Sequence, residues 1–276
     1  MSTTERPEVS PRGSRVAWGL ALVLALLVTV NGWLTVRHAE HTSQHDREHL
    51  FWTLCHAGGT AEQRRDAFLT LVADGNAVWA AARLERLDLN GLDLSGTYLA
   101  GAVFNGSGLA GARLGNCDLS GSSLHTVDLS QADLTGALLE EATALKAILN
   151  GAQLRGARLR AISLEQVSAH EANFVQADLS DAYLYMADFT DATLTNADLT
   201  GADLEAAVFR NADLALVRLD GAKLLDTDFT GSNWWRSRGL TSEQITELTL
   251  KYAPPKDAPE SRQSDFLRWL KSRPSR

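Results

Sequence analysis

The stretch NADLTGADLEAAVFRNADLA, residues 196–215, carries a Leu or Phe at every fifth position: Leu199, Leu204, Phe209 and Leu214. Neither regular element uses that spacing. At about 100° per residue a period of five smears apolar side chains right round a helix, and in a strand an odd spacing throws successive residues onto opposite faces. Nor is the register local. Counting in fives from Leu84 to Trp234 reaches 31 positions, of which 23 are Leu and five are Phe (Phe104, Phe174, Phe189, Phe209, Phe229), with Ala144, Ala169 and Trp234 as exceptions. Two residues before these positions Ala occurs 19 times in 31, and Gly is frequent two residues after them, as at Gly91, Gly96 and Gly101.

One geometry satisfies the pattern. Three extended residues point the Ala and the Leu inward and their neighbours outward, a turn at the Gly-rich position swings the chain by about 90°, and four repeats close a square coil that stacks on the next at about 4.8 Å. The core ladder is expected at Leu94, Phe104, Leu134, Leu179, Leu199, Leu204, Phe209, Leu214 and Phe229 among others. The segments NADLTGADL, QADLTGALL, GARLGNCDLSG and EANFVQADLSDAYL resemble the pentapeptide-repeat family, whose unit reads A-[D/N]-[L/F]-[S/T]-[G/x]. The resemblance spans roughly residues 80 to 235 and implies a right-handed quadrilateral β-helix of nearly eight coils, so the expected fold class is mainly β, a solenoid whose ends need caps. Ala144 and Ala169 underfill its core, and SLEQVSAHEANF (163–174) departs from the unit, so a bulge is expected there.

Toward the N-terminus, VAWGLALVLALLVTVNGWLTV (16–36) holds no charge, is flanked by Arg15 and Arg37, and carries Trp18 and Trp33 near its ends. At about 1.5 Å per residue it is long enough for a bilayer core of about 30 Å, which predicts a transmembrane helix and a membrane-anchored member of the family. A cleaved signal peptide is the rival, but the stretch is long for an h-region and no small-x-small site precedes Ala39. Arg6, Arg12 and Arg15 precede the span against Arg37 and Arg47 after it, which makes a single-pass membrane protein with extracytoplasmic repeats. Ala17, Ala21 and Ala25 form a small-residue stripe that would admit a homodimer, or simply reflect how common Ala is in such helices. The expected organisation is an N-terminal tail (1–15), the transmembrane helix (16–36), a juxtamembrane helical stalk (37–59), an N-terminal helical cap (60–81), the repeats (82–235), a C-terminal helical cap (236–253), and a linker with a short amphipathic helix (254–276). Thr60 with Gln63, and Thr241 with Gln244, have capping-box spacing. Trp234 and Trp235 are expected to cover the last coil, and Phe266, Trp269 and Leu270 to form one side of the final helix.

Chemistry is harder to find. A solid core and flat polar faces offer no concave pocket, and no nucleophile, base and orienting group converge, so no enzyme and no cofactor are expected. GSGLAG (106–111) matches a dinucleotide fingerprint only because its outer glycines are turn positions five apart, with core Leu109 between them. His38, His41, His45 and His49 share one helical face, and metal binding through them in an envelope protein is one alternative function, although no H-E-x-x-H accompanies them. Cys55 and Cys117 are too few for a disulfide framework. The net charge of −8 argues against direct nucleic-acid binding. Between Leu84 and Trp234 there are 21 acidic and nine basic side chains, a difference of −12. Relatives in the family that protect DNA gyrase present acidic faces shaped like duplex DNA, so the resemblance implies a second alternative, a DNA-mimicking inhibitor or protector of gyrase. The leading expectation is a membrane-anchored, non-enzymatic scaffold or protein–protein interaction module whose partners are the lipid bilayer, through the N-terminal helix, and an unidentified protein. Its candidate interaction face is Leu145, Tyr183, Tyr185, Lys223 and Leu225, with Val103.

Overall fold

We describe residues 60–73 and 80–272 of the chain in a computed structural model. From residue 81 onward one backbone pattern recurs. With the ladder residue as position 0, the amide at −2 closes a turn onto the carbonyl of the preceding position 0, as from Ala102 to Leu99 at 3.0 Å. The other bonds join coils: Val103 N to Ala82 O at 2.9 Å, Leu84 N to Val103 O at 2.7 Å, and Gly101 N to Ser120 O at 2.9 Å. Position +2 has positive φ at every repeat, 68° at Gly101 and 63° at Leu216, while position +1 does not, which is the signature of a type II turn.

Each residue at −1 pairs in parallel with the residue 20 further on. Four rows result: face 1 runs from Arg83 to Lys223, face 2 from Asp88 to Asp228, face 3 from Asp93 to Asp213, and face 4 from Tyr98 to Arg238. Four pentads therefore make one coil, and the ladder residues fill its interior. Leu94, Phe104, Leu134, Leu179, Leu199, Leu204, Phe209 and Phe229 are 0% exposed and Leu214 is 1% exposed.

Two expectations are corrected here. The fold class is not mainly β by its elements: the described residues contain no β-strand, and the regular secondary structure in them is helical. The reason is length. Between successive turns only the −1 residue bonds to the neighbouring coil in the pattern of a β-bridge, so each bridge is isolated and one residue wide, short of the run of residues that makes a strand. The expected bulge at 163–174 is also absent, because the bridges from Thr143 to Ser163, Ile148 to Ser168 and Gln153 to Asn173 carry the 20-residue step straight through it.

Helices close both ends. In α1 (Ala61–Ala73) Thr60 and Gln63 cap reciprocally, Thr60 N donating to Gln63 Oε1 at 2.9 Å and Gln63 N to Thr60 Oγ1 at 3.2 Å. Ala67, Phe68 and Leu71 are buried, and Arg64 donates to the Glu85 carbonyl at 3.0 Å. At the other end, face 3 stops at Asp213 because the chain turns into a 3-10 helix, Trp234–Arg236. The Asn233 side chain takes over the ladder, its Oδ1 accepting from Leu214 N at 2.5 Å while its Nδ2 donates to Asp213 Oδ1 at 2.7 Å. Two helices follow, α2 (Ser242–Tyr252) with the Thr241–Gln244 capping box and α3 (Glu260–Lys271). Trp234, fully buried, lies 5.4 Å from Trp269 and 6.2 Å from Phe266.

Asp265 ties α3 to the end of the solenoid. Its Oδ2 accepts from Arg236 Nε at 2.8 Å and from Trp235 Nε1 at 2.9 Å, and chiefly through the Arg236 bond its pKa is lowered to about 2. A depressed carboxylate adds stability that is present above the unfolded pKa of about 4 and is lost as pH falls through the folded value. D265N is therefore expected to lower the unfolding free energy by about 1–2 kcal/mol at pH 7. The gap between the variant and the parent protein, read by calorimetry, narrows below pH 4 and is mostly gone by about pH 2. A gap independent of pH would assign Asp265 no charge-dependent role.

Candidate interaction surface

The outward positions are −1, +1 and +2, and the first has a structural duty. The backbone pattern between coils leaves the amide at +1 unserved, and an Asp or Asn at −1 accepts it: Asp93 Oδ1 from Ser95 N at 3.1 Å, Asp133 Oδ1 from Thr135 N at 3.0 Å, Asn173 Oδ1 from Val175 N at 3.1 Å. Elsewhere an Asn one coil earlier serves instead, Asn105 for the His125 amide at 2.9 Å and Asn150 for the His170 amide at 3.0 Å. The acidity of the repeat thus begins as backbone chemistry. Its consequence is electrostatic, because an Asp bound through one oxygen is held in place with the other facing out.

Those second oxygens find cations where the sequence supplies them. Asp198 Oδ2 meets Arg218 at 3.0 Å, Asp203 Oδ2 meets Lys223 Nζ at 2.8 Å, and Asp228 Oδ2 meets Arg210 at 2.7 Å. The Lys223 hydrogen bond holds Asp203 below the ordinary carboxylate range, and hydrogen bonds from Ser95 do the same for Asp93. The supply of cations is uneven. Residues 84–160 carry eight acidic and six basic side chains, 161–209 carry nine acidic and no Lys or Arg, and 210–234 carry four and three. Of the nine, Asp181, Asp188, Asp198 and Asp203 pair with Arg160, His170, Arg218 and Lys223. Glu165, Glu171, Asp178, Asp191 and Glu205 have no ion pair with any described residue.

The residues expected to form one flat apolar face are divided. Tyr183 and Lys223 lie in the row of face 1 with Asp203 between them, and Val103 is four coils away and half-buried. Leu145, Tyr185 and Leu225 occupy the corner after face 1, each two coils from the next, with Glu165 and Glu205 between. Leu145 is half-buried, whereas Leu225 is 62% exposed. Tyr183 (54% exposed), in the row, and Tyr185 (41%), at the adjoining corner, are both exposed, and Met186 (50%), not among the expected residues, extends that exposed stretch. Its signal was a bulky apolar residue at +2, a position otherwise mostly small or polar. Trp234 and Trp235 are buried at the end of the solenoid. Among the described residues no group of His, Cys, Asp and Glu could hold a metal ion, and the stripe from His38 to His49 lies outside them.

Stacked coils with a filled interior, and polar groups on outer walls apart from a few buried Ser and Thr at −2 such as Ser107 and Thr227, define a repeat rod that works by contact. Residues 82–121, 122–160, 158–200 and 197–233 match pentapeptide repeats, in eight copies. The chain belongs to the pentapeptide-repeat family, and it is not an enzyme. Among solved structures it is similar to HetL, a pentapeptide repeat protein involved in heterocyst differentiation regulation from the cyanobacterium Nostoc sp. strain PCC 7120, at 26% identity over 60% of this chain and 95% of that one, TM-score 0.36. It is also similar to trypsin-treated QnrB1, a plasmid-mediated fluoroquinolone resistance protein, at 21% identity over 63% and 87%, TM-score 0.38. A pentapeptide repeat protein from the Arabidopsis thaliana thylakoid lumen shares 24% identity over 67% and 91%, TM-score 0.21. No curated protein sequence matches the chain.

Membership holds for the repeats, and the membrane-anchored version of it is corrected. No helix among the described residues is long and apolar enough to cross a membrane. The longest, α1, has 13 residues and at about 1.5 Å each reaches about 20 Å against a bilayer core of about 30 Å. The lipid-bilayer partner, the single-pass localisation and the membrane-anchored scaffold therefore find no support in the structure, while the stretch 16–36 on which they rested lies outside the described residues.

Proposed function

We propose that the chain is a non-catalytic anionic decoy that occupies the DNA-binding surface of DNA gyrase, as an inhibitor or protector of that enzyme. One observation carries the reading, the run of nine acidic residues without Lys or Arg over 161–209. At 20 residues per coil and about 4.8 Å between coils, the segment occupies about 12 Å of rod, roughly one carboxylate per 1.3 Å. Duplex DNA carries one charge per about 1.7 Å of axis. Counting only the five unpaired acids gives about one per 2.4 Å, so the rod brackets the density of the duplex. Asx bonds such as those of Asp178, Asp188 and Asp198 fix carboxylates before any partner arrives, which reduces the ordering cost of binding.

The test is a gyrase supercoiling assay with the purified full chain. Supercoiling is expected to fall at micromolar protein, and the effect to weaken with added salt. The triple variant E171Q/D178N/D191N keeps an acceptor oxygen at position 178 for the Ser180 amide and so keeps the fold, yet should need at least about tenfold more protein. Supercoiling unaffected at these concentrations would remove gyrase as the target.

A further inference from the structure

Tyr183, Tyr185 and Met186 are exposed within four residues of one another; of the other exposed apolar residues, Ile148 and Leu216 stand elsewhere on the coil and Leu225 shares the Tyr185 corner two coils further on. Tyr185 sits at the corner after face 1, with Glu165 one coil before it and Glu205 one coil after it. The bonds from Gln166 N to Tyr185 O and from Met186 N to Glu205 O fix that order. Each carboxylate is thus about one coil spacing, about 4.8 Å, from the Tyr185 position along the rod. Glu165 and Glu205 are half-buried, and neither side chain accepts a hydrogen bond or makes an ion pair with any described residue. Tyr183 differs, since its row places it beside Asp203, which already holds Lys223 at 2.8 Å.

An exposed phenol ring between two carboxylates without an ion pair, one of which, Glu205, lies within electrostatic reach of Lys223, is best matched by one side-chain chemistry. A guanidinium stacks on an aromatic face and donates in its own plane to carboxylates on either side. An ammonium has three donors and can meet both carboxylates, but it has no plane to stack on the ring while donating to either side. We propose that Tyr185, Glu165 and Glu205 form an arginine-accepting site, with Tyr183 and Met186 covering the aliphatic stem, so that the rod docks on an arginine-bearing segment of a partner protein. The proposal takes the sign of the partner's charge from the decoy reading and deepens it by naming the residue type at the point of contact.

The test uses no topoisomerase, so its outcome is separate from that of the supercoiling assay. Fluorescently labelled deca-arginine and deca-lysine peptides are titrated with the full chain, and affinity is read by anisotropy. The parent protein is expected to prefer deca-arginine by about threefold to fivefold, as one exposed cation–π contact on Tyr185 provides. Y183A/Y185A should abolish the preference while leaving deca-lysine binding unchanged, and E165Q/E205Q should weaken both peptides. All four positions are at the surface, so melting temperatures should stay within about 2 °C of the parent value. Equal affinity of the parent protein for the two peptides, or a preference that survives Y183A/Y185A, would overturn the site.

Discussion

F209A is expected to lower the free energy of unfolding by about 3–5 kcal/mol, the upper range for loss of a buried aromatic ring. Phe209 is fully buried and lies between two rings of its own column, Phe189 at 5.0 Å with an interplanar angle of 4° and Phe229 at 5.5 Å with 9°. The column ends under Tyr252, 6.0 Å from Phe229 and edge to face. Removing the middle ring deletes two aromatic contacts, each worth about 0.5–1.5 kcal/mol beyond burial. The gap cannot close, because the coils above and below are pinned by backbone bonds such as Leu194 N to Asp213 O at 2.8 Å and Phe209 N to Asp228 O at 2.7 Å. A stack of coils has only nearest-neighbour interfaces, so a defect at one rung weakens the joint between the two parts it separates. Amides after residue 209 should therefore exchange faster than those before about residue 160 in hydrogen-exchange mass spectrometry, and urea unfolding should broaden. F209L, which keeps most of the volume, should lose well under half as much. A loss below about 1 kcal/mol for F209A would mean the ladder does not hold the coils together as argued.

The ladder was legible because its signal is a sum over 31 positions in strict register, and no helix or strand shares its period. The capping residues of α1 and α2 were legible for a different reason: Thr60 with Gln63 and Thr241 with Gln244 satisfy each other within four residues, so nothing distant can alter the outcome. What depended on neighbours in space was less readable. The spacing implies three extended residues per side, but whether that makes a strand or an isolated bridge is decided by where the turns take their hydrogen bonds. The bulge expected over 163–174 fails because the bridges between coils keep their 20-residue step through it, and the small core residue Ala169 has bulky neighbours. Phe189 follows in its column and Phe174 in its coil, with the two rings 5.4 Å apart edge to face. The interaction face was blurred by treating positions −1 and +1 as one surface, although a row and a corner point different ways. Glu165 and Glu205, which give the patch its chemical character, are ordinary acids until the 20-residue step brings them to either side of Tyr185.

W234A is expected to detach the C-terminal cap, at a stability cost of about 3–5 kcal/mol. Trp234 is the last rung of the column that contains Phe174, Leu194 and Leu214, and it is also the floor on which Phe266 and Trp269 of α3 rest. Its Nε1 donates to the carbonyl of Tyr252 at 3.1 Å, so truncation leaves a carbonyl at the end of α2 without its donor as well as a cavity. Asp265 still holds Trp235 and Arg236, but that contact is at the rim and cannot keep α3 seated over an empty centre. Freed of its cover, the last coil offers bare amides, carbonyls and the Phe229 and Leu214 side chains to the end of another rod, the situation that capping exists to prevent. Two readouts follow. Amide protection across α2 and α3 should collapse while residues 100–190 keep theirs, and the mass from light scattering should rise with concentration more steeply than for the parent protein. W234F keeps most of the packing and loses the hydrogen bond, so it should cost about 1–2 kcal/mol and leave the mass profile of the parent unchanged. If α3 keeps its protection in W234A, the cap is held from its rim by Asp265, and D265N becomes the variant that releases it.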